Sequence, residues 1–299
     1  MATETGCTNG VALLLELADT QHILHQVEAY DTLQKETDSP GATITPIAGG
    51  LIVLTNPEYG QKLNRAVGLG VTRSATDNDL NNIESLFEQA QTAISFHLAG
   101  LARDDLKQRL AAKGYVANGS VNVYYMDLNE TIPGPHPDPD GRHPNIVIEE
   151  VDRTANAELF HDVSVEGFRS GGRSPELLSH LAELALRRDD TKLFFAYVDG
   201  KLAGSAAMAT LEVPDSLDSS TRTDRPTQPF TTITQLYLDS TLPEFRGQGV
   251  HAALIRERLR LAQGHASAVM LVARSASGSA RNALRAGMKL AYEKQIFSR

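Results

Sequence analysis

"LPEFRGQGVHAALI", residues 242–255, decides how this chain is read. The stretch follows an apolar run, "TTITQLYL" (231–238), and opens a helical pattern that continues from Val250 to about Gln263. Gly247 and Gly249 therefore sit at a strand-to-helix junction, where each glycine disfavours helix by about 1 kcal/mol relative to alanine. A reason at the level of the backbone is called for. Helix starts present unpaired N–H groups and about half a positive charge, which suits them to phosphate. Glycines at 247 and 249 let the amides from Arg246 to His251 close around a pyrophosphate, with the Arg246 charge beside them. No Gly-Lys-Ser/Thr follows, so this is not the Walker loop. Spacing alone leaves two readings open: a tight turn, or a phosphate cradle.

The whole chain narrows the field. With 299 residues and 41% hydrophobic content, it is long enough for one large core or two domains of ordinary size. Its 28 basic and 37 acidic residues give a formal charge of −9, which repels nucleic acid and anionic membranes at long range, so neither is expected as a partner. Cys7 is the sole cysteine, which excludes an intrachain disulfide and a cysteine-based zinc site. The start, "MATETGCTNG", lacks the basic-then-apolar order of a signal peptide. "VALLLELA" (11–18) is short and holds Glu16, well below the ~20 apolar residues of a membrane span. A cytoplasmic setting is the expectation.

"TIPGPHPDPDGRHP" (131–144) carries five prolines and two glycines and reads as a linker between residues 1–130 and a second domain, 145–299. Its histidines and aspartates are turn residues, and no metal site is expected. Before it, "ATITPIAGGLIVLT" (42–55) reads as a bent strand pair and "LNNIESLFEQA" (80–90) as a helix with Leu80, Ile83, Leu86 and Phe87 on one face. "DDLKQRLAAKGY" supplies another helix, closed by Gly114, and "VNVYYMDL" a strand. Gly68 and Gly70 lack the third glycine of a dinucleotide fingerprint and read as a turn. After the linker come a strand (145–151), a helix (155–168), a helix opened by Ser174-Pro175-Glu176, and a hairpin turning at Asp199-Gly200. A polar loop (214–231) precedes the strand, opening motif, helix, strand (267–273), short helix (279–286) and closing strand (289–297).

Arg246-Gly247-Gln248-Gly249-Val250-His251 resembles the Arg/Gln-x-x-Gly-x-Gly/Ala motif by which the GNAT superfamily of N-acetyltransferases binds the pyrophosphate of acetyl-CoA. Residues 146–299 follow that superfamily's order of elements, and the front half is similar to a degenerate second GNAT-like unit. The resemblance implies an α/β fold with a mixed sheet. It implies a strand at Gln235–Leu238 that splays from Val269–Val272 to admit pantetheine, with amides of Leu236, Tyr237 and Leu238 in the groove. It also places Ser277 and Asn282 where the family touches CoA; Ser277 is equally a helix cap.

The departures bear on mechanism. His251 stands where the family has Gly or Ala, as a bystander or a donor at the phosphate edge. Ala283 takes the place of the usual tyrosine acid, four residues before Gly287-Met288. No glutamate base lies on strand 232–238, which leaves Asp239, Tyr292 and Glu293 as candidate catalytic groups. The expectation is acetyl transfer to a small-molecule amine in a ternary complex, with O-acetylation or a non-catalytic CoA-binding module as alternatives. The acceptor pocket is assigned to loop 214–231, the helices near Phe168 and, as a further option, the front half.

Overall fold

A computed structural model describes residues 7–130, 145–214 and 230–299. The linker 131–144 and most of the loop 214–231 lie outside the described residues. The chain forms two compact units that interleave in sequence: Met1–Val123 with Glu212–Thr231 and Leu290–Arg299, and Tyr124–Leu211 with Thr232–Lys289. In chain order the elements are α1 (Asn9–Glu36), β1 (Thr43–Ile47), β2 (Gly50–Leu54), β3 (Arg65–Val67), α2 (Asp77–Gln89), β4 (Phe96–Ala99), α3 (Asp104–Ala112) and β5 (Val116–Asp127). They continue with β6 (Ile146–Glu150), α4 (Arg153–Phe168), α5 (Pro175–Arg187), β7 (Thr191–Val198), β8 (Lys201–Pro214), β9 (Phe230–Thr241), α6 (Val250–Ala262), β10 (Ala268–Ala273), α7 (Gly278–Arg285) and β11 (Lys289–Ser298).

In the first unit the strands lie in the order β1-β2-β3-β4-β11, antiparallel except for the parallel pair β3–β4. Alternation along the strands sends side chains to both faces. Ile52, Leu54, Ala66, Phe96 and Leu98 pack with Leu80, Ile83 and Phe87 of α2 and Leu106 and Leu110 of α3. Leu51, Val53 and Val67 pack with Ile23 and Val27 of α1.

Sequence patterning marks no helix over residues 9–36, and the structure has one of 28 residues there. Its buried positions do recur at helical spacing, but Glu16, Asp19, His22 and Gln26 interrupt the apolar stripe. Two of these polar residues have a partner on β11: Lys294, 1% exposed, pairs with Glu16 at 2.9 Å and with Asp19. The Tyr292 hydroxyl donates to Glu16 Oε2 at 2.8 Å. Burial opposes the Lys294 charge, yet the Asp19 and Glu16 carboxylates carry its pKa above the usual lysine range. Burial, followed by the Arg65 and Lys294 charges, pushes His97 on β4 down to about 2, so its ring is neutral.

The Gly68-Leu69-Gly70 stretch is the expected turn, with both glycines at positive φ. The helix that follows, α2, closes its own N-terminus. Thr76 Oγ1 accepts from the Asp79 amide at 3.1 Å, and Asp79 Oδ2 accepts from the Thr76 amide at 2.8 Å. Arg73 adds two bonds to the same carboxylate, at 3.3 and 3.4 Å.

The second unit has the order β10-β9-β8-β7-β6, with β6, β7 and β8 antiparallel and β9 parallel to β10. Ser174 caps α5 by accepting from the Leu177 amide, and Pro175 occupies the first turn, as the sequence implies. Phe160, Ala185, Leu193, Phe195 and Ala207 form a core under α4 and α5. Helix α4 comes close to the sheet at Gly167, where a Cβ would lie 2.6 Å from Ser240 Cβ. A buried run of hydroxyls, Ser164 to Ser205 at 2.8 Å and Ser205 to Ser240 at 2.9 Å, ties α4, β8 and β9 together there.

Candidate functional site

Ladder pairing between β9 and β10 runs from Ile233↔Ala268 to Leu236↔Leu271 and stops, although β9 continues to Thr241 and β10 to Ala273. The strands part beyond Leu236, at the place where the resemblance puts the pantetheine groove. Leu238, one step past Tyr237, has φ +54°, a left-handed conformation that costs an L-residue about 1 kcal/mol or more. This kink lies two residues beyond the last paired position, Leu236, where β9 and β10 have already parted.

The loop after β9 carries the glycines. Gly247 has φ +80° and Gly249 φ +89°, both in the left-handed region where a side chain is strained. No protein atom lies within 4 Å of a Cβ built on Gly247, and on Gly249 only Ile146 Cδ1 is near, at 3.7 Å. The glycines are thus required by backbone conformation, and the space above them is open to a ligand. Gly249 is the N-cap of α6 and supplies no capping side chain, so the first-turn amides of Val250, His251 and Ala252 point outward unsatisfied by the helix itself. Uncapped N–H groups, left-handed glycines and an open approach fit a pyrophosphate. The contrast with the self-capped α2 is a difference of side chains at the helix start.

Arg246 is anchored by carbonyls: Nε donates to Thr241 O at 3.3 Å and Nη2 to Gly167 O at 3.1 Å. It staples the loop to the end of α4. Gln248 Nε2 donates back to Glu244 O at 3.0 Å and its amide to Phe245 O at 3.4 Å, so this residue braces the loop from within. His251 lies between α7 and β9. Asn282 Nδ2 donates to its Nδ1 at 2.8 Å, so the ring proton resides on Nε2, 3.5 Å from Asp239 Oδ1. Burial lowers the His251 pKa; the Asp239 charge opposes this and the Arg258 charge adds to it. A neutral ring with both nitrogens occupied is a strut under the loop.

Asp239 is held by Arg258, a residue with 0% exposure on α6. The same guanidinium donates to Leu254 O at 3.0 Å and to Ala207 O at 2.7 Å. That carboxylate is therefore an ion-paired structural group and not a free base. Arg258 went unread in the sequence; its signal is a charge at the buried spacing of Val250, Leu254 and Leu259.

Tyr237 packs against the core under α4 and α5, its hydroxyl 2.9 Å from Thr191 Oγ1. Leu236 is buried. Ser277 is the N-cap of α7, accepting from Ala280 at 3.1 Å. Ala283 is fully buried, so a tyrosine would not fit there without repacking. Tyr292 and Glu293 belong to the first unit, where the Tyr292 hydroxyl is spent on Glu16 and the Glu293 carbonyl accepts from Gly100 at 2.8 Å. The structure brings together Leu236 to Asp239, Arg246 to His251, Ser277 and Asn282 in one unit.

Similar architectures are known. An N-acetyltransferase related to GCN5 from Kribbella flavida superposes with a TM-score of 0.59 at 15% identity, covering 92% of this chain and 95% of its own. Another from Sphaerobacter thermophilus gives 0.52 at 14% identity, covering 97% and 91%. The chain has the fold of the GCN5-related N-acetyltransferases. That fold spans both units, as the coverage requires. A conserved protein of unknown function from Staphylococcus epidermidis also shares it, at 0.52 and 17% identity over 85% of this chain and 91% of its own. No family model matches the sequence, and no curated protein does. Among the described residues no helix is long and apolar enough to cross a membrane.

Proposed function

We propose that this chain transfers an acetyl group from acetyl-CoA to a small-molecule amine, directly and within a ternary complex. The observation that carries the reading is the uncapped start of α6 behind two left-handed glycines, beside strands that part at Leu236. Amides of Gly247, Gly249, Val250 and His251 bind the pyrophosphate, and the helix dipole offsets its charge. The thioester supplies an activated acyl group. Peptide N–H groups at the Leu238 kink hydrogen-bond its carbonyl oxygen, where charge grows as the amine attacks. Arg246 holds the loop to α4, so the amine meets a fixed target and proximity supplies much of the rate.

With Asp239 committed to Arg258, the amine reaches the site already neutral. As the C–N bond forms the C–S bond breaks, the CoA sulfur, with a thiol pKa near 8.5 like that of cysteine, leaves as thiolate without an acid at Ala283, and the proton shed by the nitrogen passes to water or to that thiolate. A non-catalytic CoA-binding module is the second reading, favoured by the burial of Ala283 and the ion pairing of Asp239.

Calorimetric titration with acetyl-CoA tests the core of the reading. Wild type binds, while Gly249→Val, kept folded by circular dichroism, loses at least ~100-fold in affinity, the worth of about two charge-assisted hydrogen bonds. Equal binding by a folded Gly249→Val protein would overturn it. Tight binding with no turnover on any amine or alcohol would favour the module.

A further inference from the structure

At position 251 the resemblance implies glycine or alanine, and the chain supplies an imidazole. That ring is held in a series of hydrogen bonds that runs one way. Arg285 Nη1 donates to Asn282 Oδ1 at 3.4 Å, which assigns the oxygen end of the amide and turns Nδ2 to His251 Nδ1, 2.8 Å away. A ring nitrogen that accepts there leaves the proton on Nε2, and Nε2 lies 3.5 Å from Asp239 Oδ1. Arg258 holds the same carboxylate. The His251 and Asp239 side chains are 18% and 10% exposed, so water competes weakly for their contact.

The two residues so joined stand at the two ends of the cofactor path. Asp239 directly follows Leu238, the residue at φ +54° where the strands have parted. His251 is the second residue of α6, in the first turn, whose amides have no capping side chain. Arg258 lies about two turns further along the same face of the helix. One carboxylate therefore grips α6 at two points. Attachment at Arg258 alone would leave the first turn free to pivot about it, and the contact with His251 removes that freedom.

We propose that His251 is a positioning residue: its ring fixes the separation between the Leu238 kink and the α6 amides, so that the site measures the length of the arm between thioester and diphosphate. The inference rests on the acetyl-transfer reading and names the residue that sets the donor's length there. A ligand that engages two subsites gains over its separate halves only when its linker matches the span. Both ring nitrogens are committed to Asn282 and Asp239, so the ring acts through the backbone and not on the phosphate. The His251 amide survives replacement by alanine, which separates the ring's role from the amide's bond to phosphate.

The test is calorimetry on the full chain with two ligands: acetyl-CoA, and 3′-phosphoadenosine 5′-diphosphate, which keeps the diphosphate and lacks the arm. In His251→Ala, folded by circular dichroism, the acetyl-CoA Kd should rise about tenfold while that of the diphosphate changes by less than about twofold. Asn282→Ala, which removes the donor that orients the ring, should show the same split and covers the case in which the first variant does not fold. Where turnover is measured, the ratio of kcat/KM for acetyl-CoA over acetyl-pantetheine, which lacks the diphosphate, should fall by a similar factor in both variants. Equal weakening of acetyl-CoA and the diphosphate overturns the proposal and makes the ring a direct phosphate donor. No change in either also overturns it and makes His251 a bystander, as does a wild type that binds acetyl-CoA no more tightly than the diphosphate. If wild type binds neither ligand, the acetyl-transfer reading itself falls and takes the positioning role with it; any of the other failures leaves that reading standing.

Discussion

Replacing Asp239 with Asn should cost stability before it costs chemistry. Arg258 has 0% exposure and keeps its charge in any accessible pH range, so it needs a counter-charge inside the second unit. Its bonds to Leu254 O and Ala207 O satisfy two of its donors but neutralise nothing. Removing one partner of such a buried pair costs about 3–5 kcal/mol. An asparagine oxygen still accepts one hydrogen bond, worth about 1 kcal/mol. The expected loss is therefore about 3 kcal/mol, which for a unit of this size lowers Tm by roughly 6–12 °C. Urea unfolding followed by far-ultraviolet circular dichroism measures it, since the chain has no tryptophan. The double change Asp239→Leu with Arg258→Met, which removes both charges, should recover most of the loss. An Asp239→Asn protein as stable as wild type, with turnover abolished, would refute this reasoning and make Asp239 the base.

Three further outcomes are expected. With Asp239 paired to Arg258, kcat/KM for a good acceptor should climb with pH toward the acceptor's own pKa; a lower inflection that Glu293→Gln removes would contradict this and make Glu293 the base. His97 is held near 2 when folded and near 6.5 when unfolded, so the unfolded chain takes up the proton first. The stability it contributes is complete above pH 6.5 and declines below it by about 1.4 kcal/mol per pH unit. Urea midpoints at pH 7.5, 6 and 5 should thus fall more steeply for wild type than for His97→Gln. Thr76→Ala, which opens the capping box on α2, should destabilise the first unit by about 1 kcal/mol without changing acetyl-CoA affinity, as denaturation and calorimetry together would show.

The second unit was largely legible because its signals are local. Apolar runs mark β7 to β10, Ser174-Pro175 marks the start of α5, and Gly247 and Gly249 mark the turn into α6. What escaped depends on partners distant in sequence. Helix α1 hides its periodicity because Glu16 and Asp19 are buried against Lys294, 278 and 275 positions away, and a polar residue reads as exposed until its partner is known. The same holds for Asp239, a plausible base in isolation and a committed partner once Arg258 is placed. Strand β11 reads as the last strand of the second domain, but its residues from Leu290 onward belong to the first unit, where they pair with β4. The left-handed Leu238 had no signal at all, since leucine is not a residue that announces positive φ.

The capping box on α2 has a consequence for counting. Asp79 delivers a carboxylate to the helix start, and Arg73 binds it from the turn, so that end of the first unit carries its own tethered anion. A tether makes the local concentration of that carboxylate effectively saturating, and no free phosphate ester competes with it at ordinary levels. Of these two helix starts, that of α6 is the one left to be filled from solution. A titration with acetyl-CoA should therefore reach its equivalence point at one molecule per chain, even though the chain twice runs strand, glycine turn, helix.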